Sequence, residues 1–273
     1  MEEITSASGS TVKGLVLLRQ KASKRRQSQS FLIEGERLVL DTPEEYLEKI
    51  YLTRKAWDRI GETLQRRGLE ERTVLFSEEA MDKAADTKAP QGVLAVARQP
   101  QHAMEELLQS RGLEPPLLLL LEDIQDPGNL GTMFRSAEAA GVNGIIMSKG
   151  TADVFNPKVV RSTMSALFRM PFIYVPDLPE TMRQLRQCGI VLYAASLEGS
   201  VPYTEADLRK GAGILIGNEG NGLTAPVQEL ADGRIRIPMA GQIESLNAAI
   251  SAGILMYEAA RQRGFAAAGN APC

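Results

Sequence analysis

The sequence predicts an α/β protein in two parts: a small α/β domain, then a parallel sheet with helices on both faces. Three observations carry this. At about 150 residues per domain, 273 residues make about two domains. Short, wholly apolar runs alternate with helical stretches, the pattern of a parallel sheet buried on both faces. A polar stretch ending in Pro115-Pro116 separates the two parts. The expected partition is 1–98, a linker at 99–116 containing a short helix, and 117–273.

In the first part, Phe31–Ile33 reads as a strand closed by Gly35, and Ile50–Leu52 as a second. A helical stretch from Lys55 to Arg67 stops at Gly68, and Thr73–Phe76 and Gly92–Ala97 are two further strands. In the second part the strands are Leu117–Leu121, Gly144–Met147, Phe172–Val175, Ile190–Ala194, Ile214–Ile216 and Ile235–Ile237. Asn129 is expected to cap a helix ending at Gly141, and Asn156, followed by Pro157, to cap another. A third helix ends before Gly189, and the last spans about Ser245 to Arg263 before Gly264. The tail 266–273 is expected to fray.

Composition excludes several functions. Two cysteines, Cys188 and Cys273, build neither a disulfide framework nor a four-cysteine zinc site. The single histidine, His102, excludes a multi-histidine metal site and leaves one candidate imidazole base. The acidic, polar start is no signal peptide, and no apolar run approaches the ~20 residues that span a bilayer. The expectation is a cytoplasmic protein that needs neither metal nor membrane. The net charge of −3 hides a local block: residues 11–30 carry Lys13, Arg19, Lys21, Lys24, Arg25 and Arg26 and no acid. That block is either a solvated helix end or a patch that contacts phosphates.

Three polar segments stand at strand-to-helix junctions, where open parallel sheets hold their ligands. The first runs from Asp126 through Asn129 to Arg135. With Asn129 as the cap, its side chain would lie over the helix mouth. Arg135, among small and apolar neighbours, is expected to be partly buried and to need an anion, from a ligand or from Glu138. The second, Ile216–Leu223, places three glycines in six residues and is neither a P-loop nor a dinucleotide fingerprint. The third, Ile237–Asn247, leads a strand into the last helix, where Ser245 is the simple choice of cap.

In this order and spacing the segments resemble the three signature motifs of the SpoU/TrmH branch of the SPOUT superfamily. The matching residues are Asn129, Gly131, Arg135 and Ala137; then Gly217, Glu219, Gly220 and Gly222; then Ile237, Pro238, Met239, Ser245, Leu246 and Asn247. Asn156-Pro157-Lys158, Arg161-Ser162 and Tyr257-Glu258 add lesser matches, while Ser165 and Ala248 stand where glycine and valine are common. Phe31–Glu36 and Pro90–Gly92 resemble the RNA-binding domain that often precedes this one. The resemblance implies a SPOUT-type parallel sheet with a C-terminal trefoil knot, a homodimer, and S-adenosylmethionine-dependent methylation of an RNA ribose 2′-hydroxyl. Ribosomal RNA is favoured over transfer RNA, and a non-catalytic RNA-binding protein on the same scaffold is the alternative from another class.

The resemblance also implies the site. Ile216, Gly217, Asn218, Gly220, Ile237, Met239 and Leu246, with Ser196, would hold the donor. Asn129, Arg135, Glu219, Ser245 and Asn247 would form the catalytic group. Read from the basic block, Lys24, Arg25 and Arg26 would contact RNA, together with Arg161 of the lesser matches. A guanidinium is almost always protonated, so Arg135 reads as a clamp on phosphate and developing negative charge, with a deprotonated Arg135 acting as base the lesser alternative. Glu219 would accept a proton or only a hydrogen bond. The last helix carries an apolar face, Leu246, Ile250, Ile254 and Tyr257, suited to pairing two copies.

Overall fold

A computed structural model describes residues 3–110 and 114–265. The tail with Cys273, and residues 111–113 of the expected linker, lie outside the described residues. The chain divides into two compact units, one of residues 1–100 with 153–168, the other of 101–152 with 169–273.

The first unit begins with β1 (Glu3–Ile4), α1 (Ser10–Gln20), α2 (Ala22–Ser28), β2 (Ser30–Glu34) and α3 (Glu36–Asp41). It continues with β3 (Leu47–Leu52), α4 (Arg54–Arg66), β4 (Thr73–Phe76), α5 (Glu78–Ala84) and β5 (Val93–Arg98). Its sheet has the order β1-β4-β3-β5-β2. β1 and β3 run parallel to β4, and β5 runs antiparallel to both β3 and β2. Val12, Leu15 and Leu18, one stripe of α1, pack with Met81 of α5 over Leu32, Val74 and Leu94 of the sheet. α4 forms where expected: Thr53 Oγ1 accepts the Ala56 N–H at 3.3 Å, and Ala56, Ile60 and Leu64 repeat at helical spacing on its buried face.

The second unit is the regular part. It contains α6 (Met104–Leu107), β6 (Leu117–Leu121), α7 (Pro127–Ala139) and β7 (Gly144–Ser148). Then α8 (Pro157–Thr163) belongs to the first unit. The second unit resumes with β8 (Phe172–Val175), α9 (Leu178–Gln187), β9 (Val191–Ala195), β10 (Val201–Pro202) and β11 (Ala212–Ile216). It closes with α10 (Ala225–Leu230), β12 (Gly233–Arg236) and α11 (Ala248–Gln262). The strand order is β10-β12-β9-β11-β6-β7-β8, and every pairing is parallel. β6 and β11 pair along their whole length, Leu117 to Leu121 against Ala212 to Ile216, and every residue of both is buried. This is why both read as apolar runs.

Three local expectations change. Asp126, not Asn129, caps α7: its Oδ1 accepts the Asn129 N–H at 2.8 Å, and Pro127 takes the first helical position. α11 starts at Ala248, capped by Asn247 rather than Ser245. Residues 153–168, expected inside the second domain, pack with the first unit. Phe155, tilted, and Phe168, stacked, pack on Phe31 with ring centroids 4.9 and 6.0 Å away, and this apolar anchor outweighs proximity in sequence. Within that segment Ser165 has φ +71°, a conformation in which a side chain costs about 1 kcal/mol or more. That cost is the physical reason for glycine at this position in the family motif.

Candidate active site

In the second unit the chain runs from β6 outward to β7 and β8, then returns to the other side of β6 with β9 and β11. The loops leaving β6 and β11 therefore diverge, and open a crevice at the carboxyl ends of these strands. The β6 loop leads into α7 with Asn129, and the β11 loop carries Gly217 to Gly222. The segment after β12 brings Ile237 to Asn247 to the same end, and the loop after β9 brings Ser196.

Three side chains tie these loops together. Asn247 caps α11, accepting the Ala249 and Ile250 N–H groups at 2.9 and 3.3 Å through Oδ1. Its Nδ2 donates to Asn129 Oδ1 at 2.8 Å, and Asn129 Nδ2 donates to Glu219 Oε1 at 3.1 Å. Glu219 also accepts the backbone N–H groups of Gln125 and Asp126, each at 3.1 Å. Partial burial pulls the Glu219 carboxyl pKa upward. The hydrogen bonds from Asn129 and the backbone outweigh it and hold the group below the usual carboxylate range. Of the two roles open to it, the geometry favours hydrogen-bond acceptor over proton acceptor.

The glycines of the second segment serve the loop's own path. A Cβ on Gly217 would lie 2.2 Å from the Gly222 carbonyl carbon, and Gly222 has φ +67°. Asn218 pins the turn: its Oδ1 accepts the N–H groups of Gly220 and Asn221 at 2.9 and 3.1 Å. Its Nδ2 reaches across to the Asp123 carbonyl at 2.8 Å. Asn218 is thus a brace between the β6 and β11 loops.

A cavity of about 520 Å³ opens beside this brace. All eight residues expected to hold the donor line it: Ser196, Ile216, Gly217, Asn218, Gly220, Ile237, Met239 and Leu246. Its size, and a lining that mixes apolar side chains with many polar groups, suit a small polar cofactor. The sequence did not single out Glu198, Gln228 and Arg236, which also line it. Gln228 accepts the Ser196 hydroxyl at 3.1 Å from α10, a helix whose short apolar pattern gave no clear signal. A second cavity, of about 530 Å³, lies across Glu219 and Leu246 and is lined by Asn129, Asn247, Asp126 and Gln125. Ser245 lines the first cavity and Glu219 both.

Arg135 stands apart. It lines neither cavity, and it is exposed instead of partly buried. Glu138 is occupied by Arg169 at 2.7 Å, which leaves Arg135 without an ion-pair partner among the described residues.

Comparisons with known proteins agree with this geometry. The profile of the SpoU rRNA Methylase family matches residues 116–257, and that of the MRM3-like substrate binding domain matches residues 9–95. A Bacillus subtilis relative, 23S rRNA (guanosine(2553)-2′-O)-methyltransferase RlmP, is 36% identical over 94% of this chain and 98% of its own. The chain belongs to the SpoU rRNA methylase family. A 23S rRNA (guanosine-2′-O-)-methyltransferase RlmB from Xanthomonas campestris is 35% identical over 75% of this chain and 82% of its own. The crystal structure of the SpoU methyltransferase AviRb from Streptomyces viridochromogenes, in complex with AdoMet, has a TM-score of 0.83 and 30% identity. It covers 94% of this chain and 100% of that one. This SpoU methylase is an S-adenosylmethionine-dependent RNA methyltransferase acting at a ribose 2′-hydroxyl, as the sequence led us to expect.

The first unit revises the expected RNA contacts of this SpoU methylase. Arg25 is 3% exposed, and its Nε and Nη2 hold Asp153 Oδ2 at 2.9 and 2.7 Å. Its Nη1 donates to the carbonyls of Leu18 and Arg19. A guanidinium with all three nitrogens engaged and almost no exposure is structural. Arg19 likewise turns inward, donating to Lys83, Ala84 and Ala85 carbonyls at the end of α5. Arg161 is held by Asp86 at 2.8 Å. Lys13, Lys21 and Arg26 are exposed and Lys24 is half-buried, so four of the six cations still face solvent.

No described helix is long and apolar enough to cross a membrane. Among the described residues no group of three or more His, Cys, Asp or Glu is placed to hold a metal ion.

Proposed function

We propose that this methylase modifies the 2′-hydroxyl of a guanosine in large-subunit ribosomal RNA, in the cytoplasm, as a metal-free homodimer. Its knotted C-terminal part would hold the donor. The observation that carries the reading is the Asn247–Asn129–Glu219 chain of hydrogen bonds beside the 520 Å³ cavity. It joins the three signature segments into one site. The guanosine and ribosomal RNA follow the printed activities of the matched relatives.

When bound, S-adenosylmethionine supplies an activated methyl group, so the protein's task is orientation and charge. Ile216, Ile237, Met239 and Leu246 would enclose its apolar surface, and Ser196 and the 217–220 backbone would meet its polar groups. Asn129 and Asn247 would orient the ribose in the second cavity, with Glu219 holding Asn129 in register. Ser245 would fix the loop between them. Arg135 would clamp the target phosphate and stabilise negative charge on the attacking oxygen. Since Arg135 lines neither cavity of its own chain, a second copy is the natural source of the clamp.

The test is transfer of labelled methyl from S-adenosylmethionine to total RNA from a strain lacking the gene, followed by mapping. A single ribose-methylated guanosine in 23S RNA is expected. Label confined to transfer RNA, or none at all, would overturn the reading.

A further inference from the structure

We propose that Glu122 is a positioning residue for the methyl donor. It fastens both ends of the loop 217–223 to the end of β6, and so sets the width of the 520 Å³ cavity. The proposal rests on the reading that this cavity holds S-adenosylmethionine. It gives a role to a buried acid that lines neither site cavity.

Glu122 follows β6 directly and is 8% exposed. Its backbone N–H continues the ladder to β11, donating to the Ile216 carbonyl at 2.9 Å, where the loop begins. Its side chain holds the other end. Glu122 Oε2 accepts the Thr224 backbone N–H at 2.8 Å, and Oε1 accepts the Thr224 hydroxyl at 2.7 Å. Between these two points lie Gly217, Asn218, Gly220 and Leu223, all of which line the cavity. Among the described residues no cation pairs with Glu122, and Thr224 supplies the only hydrogen bonds to its side chain. Burying a carboxyl group without a cation is unfavourable against an apolar side chain of similar size. Stability alone does not call for an acid here.

α10 shows what this staple does. A threonine at a helix N-cap ordinarily accepts a bond from the first turn of its own helix. Thr224 stands at that position of α10 and makes no such bond, its hydroxyl being turned to Glu122. The helix has six residues, of which only Val227 is buried, so neither its length nor its packing fixes it firmly. Its place is decided by Glu122. One turn on, Gln228 Nε2 donates to the Leu223 carbonyl at 2.8 Å, and its Oε1 accepts the Ser196 hydroxyl at 3.1 Å. Gln228 and Ser196 both line the cavity. A polar chain thus runs from the end of β6 through Thr224 and Gln228, and ties the loop after β11 to the loop after β9. A shift of about 1 Å in α10 would move both, and reacting groups tolerate such a shift poorly.

Calorimetric titration of S-adenosylmethionine into the full chain tests this, together with methyl transfer at varied donor concentration. E122A removes both side-chain bonds. E122Q keeps both contacts, its carbonyl accepting the Thr224 N–H and its NH2 donating to the hydroxyl. T224V removes the hydroxyl bond alone, and T224S keeps it. E122A is expected to weaken donor binding and raise donor KM about tenfold, with kcat at saturating donor within about threefold of wild type. T224V should show about a threefold loss, and E122Q and T224S should bind within about twofold of wild type. A merely structural part would lower the folded fraction, and with it kcat, and leave donor KM where it was. Thr224 is exposed, so T224V against T224S carries the same test should E122A unfold. An unchanged donor KM in E122A and T224V overturns the proposal, as does an E122Q as weak as E122A. M239W, which fills the cavity from a side chain that Glu122 does not hold, separates the two readings. Lost binding in M239W with normal binding in E122A overturns the staple alone. Normal binding in M239W removes the donor from this cavity and overturns both.

Discussion

Asn247 donates its side-chain amide to Asn129 Oδ1 at 2.8 Å across 118 residues of sequence, and Asn129 passes the constraint to Glu219. Asn129 must both accept and donate for this chain to exist, which an amide does through two separate atoms and a carboxylate does not. N129A is expected to lower methyl transfer about 100-fold, the scale of a small misplacement of reacting groups. Donor affinity by calorimetry should stay within about threefold, because Asn129 does not line the donor cavity. N129D should be as inactive, since its second carboxylate oxygen would face Glu219. Normal turnover in N129D would show that the relay does not matter.

The Glu219 carboxylate is held charged by three N–H donors. Its folded pKa is depressed, so the stability it contributes is present above the unfolded value of about 4.3. That contribution is lost as pH falls through the folded pKa. E219Q must turn an NH2 towards one set of those donors, at a cost of about 1 kcal/mol for this solvent-accessible group. The melting temperature of E219Q should therefore lie a few degrees below wild type at pH 7. The gap should narrow below about pH 4. A gap independent of pH from 7 to 3 contradicts the assignment.

What the sequence made legible follows from where each interaction lies along the chain. β6 and β11 are apolar at nearly every position because both faces are buried, so both could be read directly. The eight residues that share the 520 Å³ cavity came from motif resemblance, which carries tertiary information that local pattern lacks. Asp126 as the cap of α7 was visible in principle, because an Asp-Pro pair is a helix-start signal. Arg25 was not. A run of cations does not reveal which one turns inward, and the partner that decides it, Asp153, is 128 residues away. The placement of 153–168 with the first unit depends on the same kind of distant contact, Phe155 on Phe31.

The basic block now separates into two experiments. R25A leaves Asp153 beside a buried void and should cost about 3 kcal/mol, the low end for a broken buried pair. For a chain of this size that lowers the melting temperature by roughly 10 °C. K24A/R26A should leave the melting temperature unchanged. If these two contact phosphates, the variant should reduce RNA affinity and flatten its salt dependence by about 0.7–0.9 per contact. An unchanged slope returns Lys24 and Arg26 to the role of solvated surface.

Arg135 is exposed and has no ion-pair partner among the described residues, so its substitution should not disturb folding. R135K keeps the charge and loses the planar fork that binds a phosphate through two hydrogen bonds. Turnover is expected to fall about 100-fold or more, with donor affinity and melting temperature unchanged. Near-normal transfer in a radiolabelled assay would remove Arg135 from the catalytic group.

The apolar stripe on α11 bears on where that arginine acts. Ile250 and Tyr257 are 55% and 46% exposed, and Ile254 lies between them at helical spacing. A helix that buries Ala252, Leu255, Met256 and Ala259 on one side has no need of large apolar groups on the other. α7 packs against α11, so a two-fold interface built on this stripe would bring each copy's α7 close to its partner. Such an interface would place Arg135 within the shared boundary, although it lines neither site cavity of its own chain. I250E puts a charge into the stripe without touching the donor cavity. It is expected to convert a dimer to a monomer by light scattering, and to lose methyl transfer while still binding the donor. Mixing I250E with R135K should then restore nothing, because no pair forms. A monomeric wild type, or a fully active monomeric I250E, would mean that Arg135 acts within its own chain.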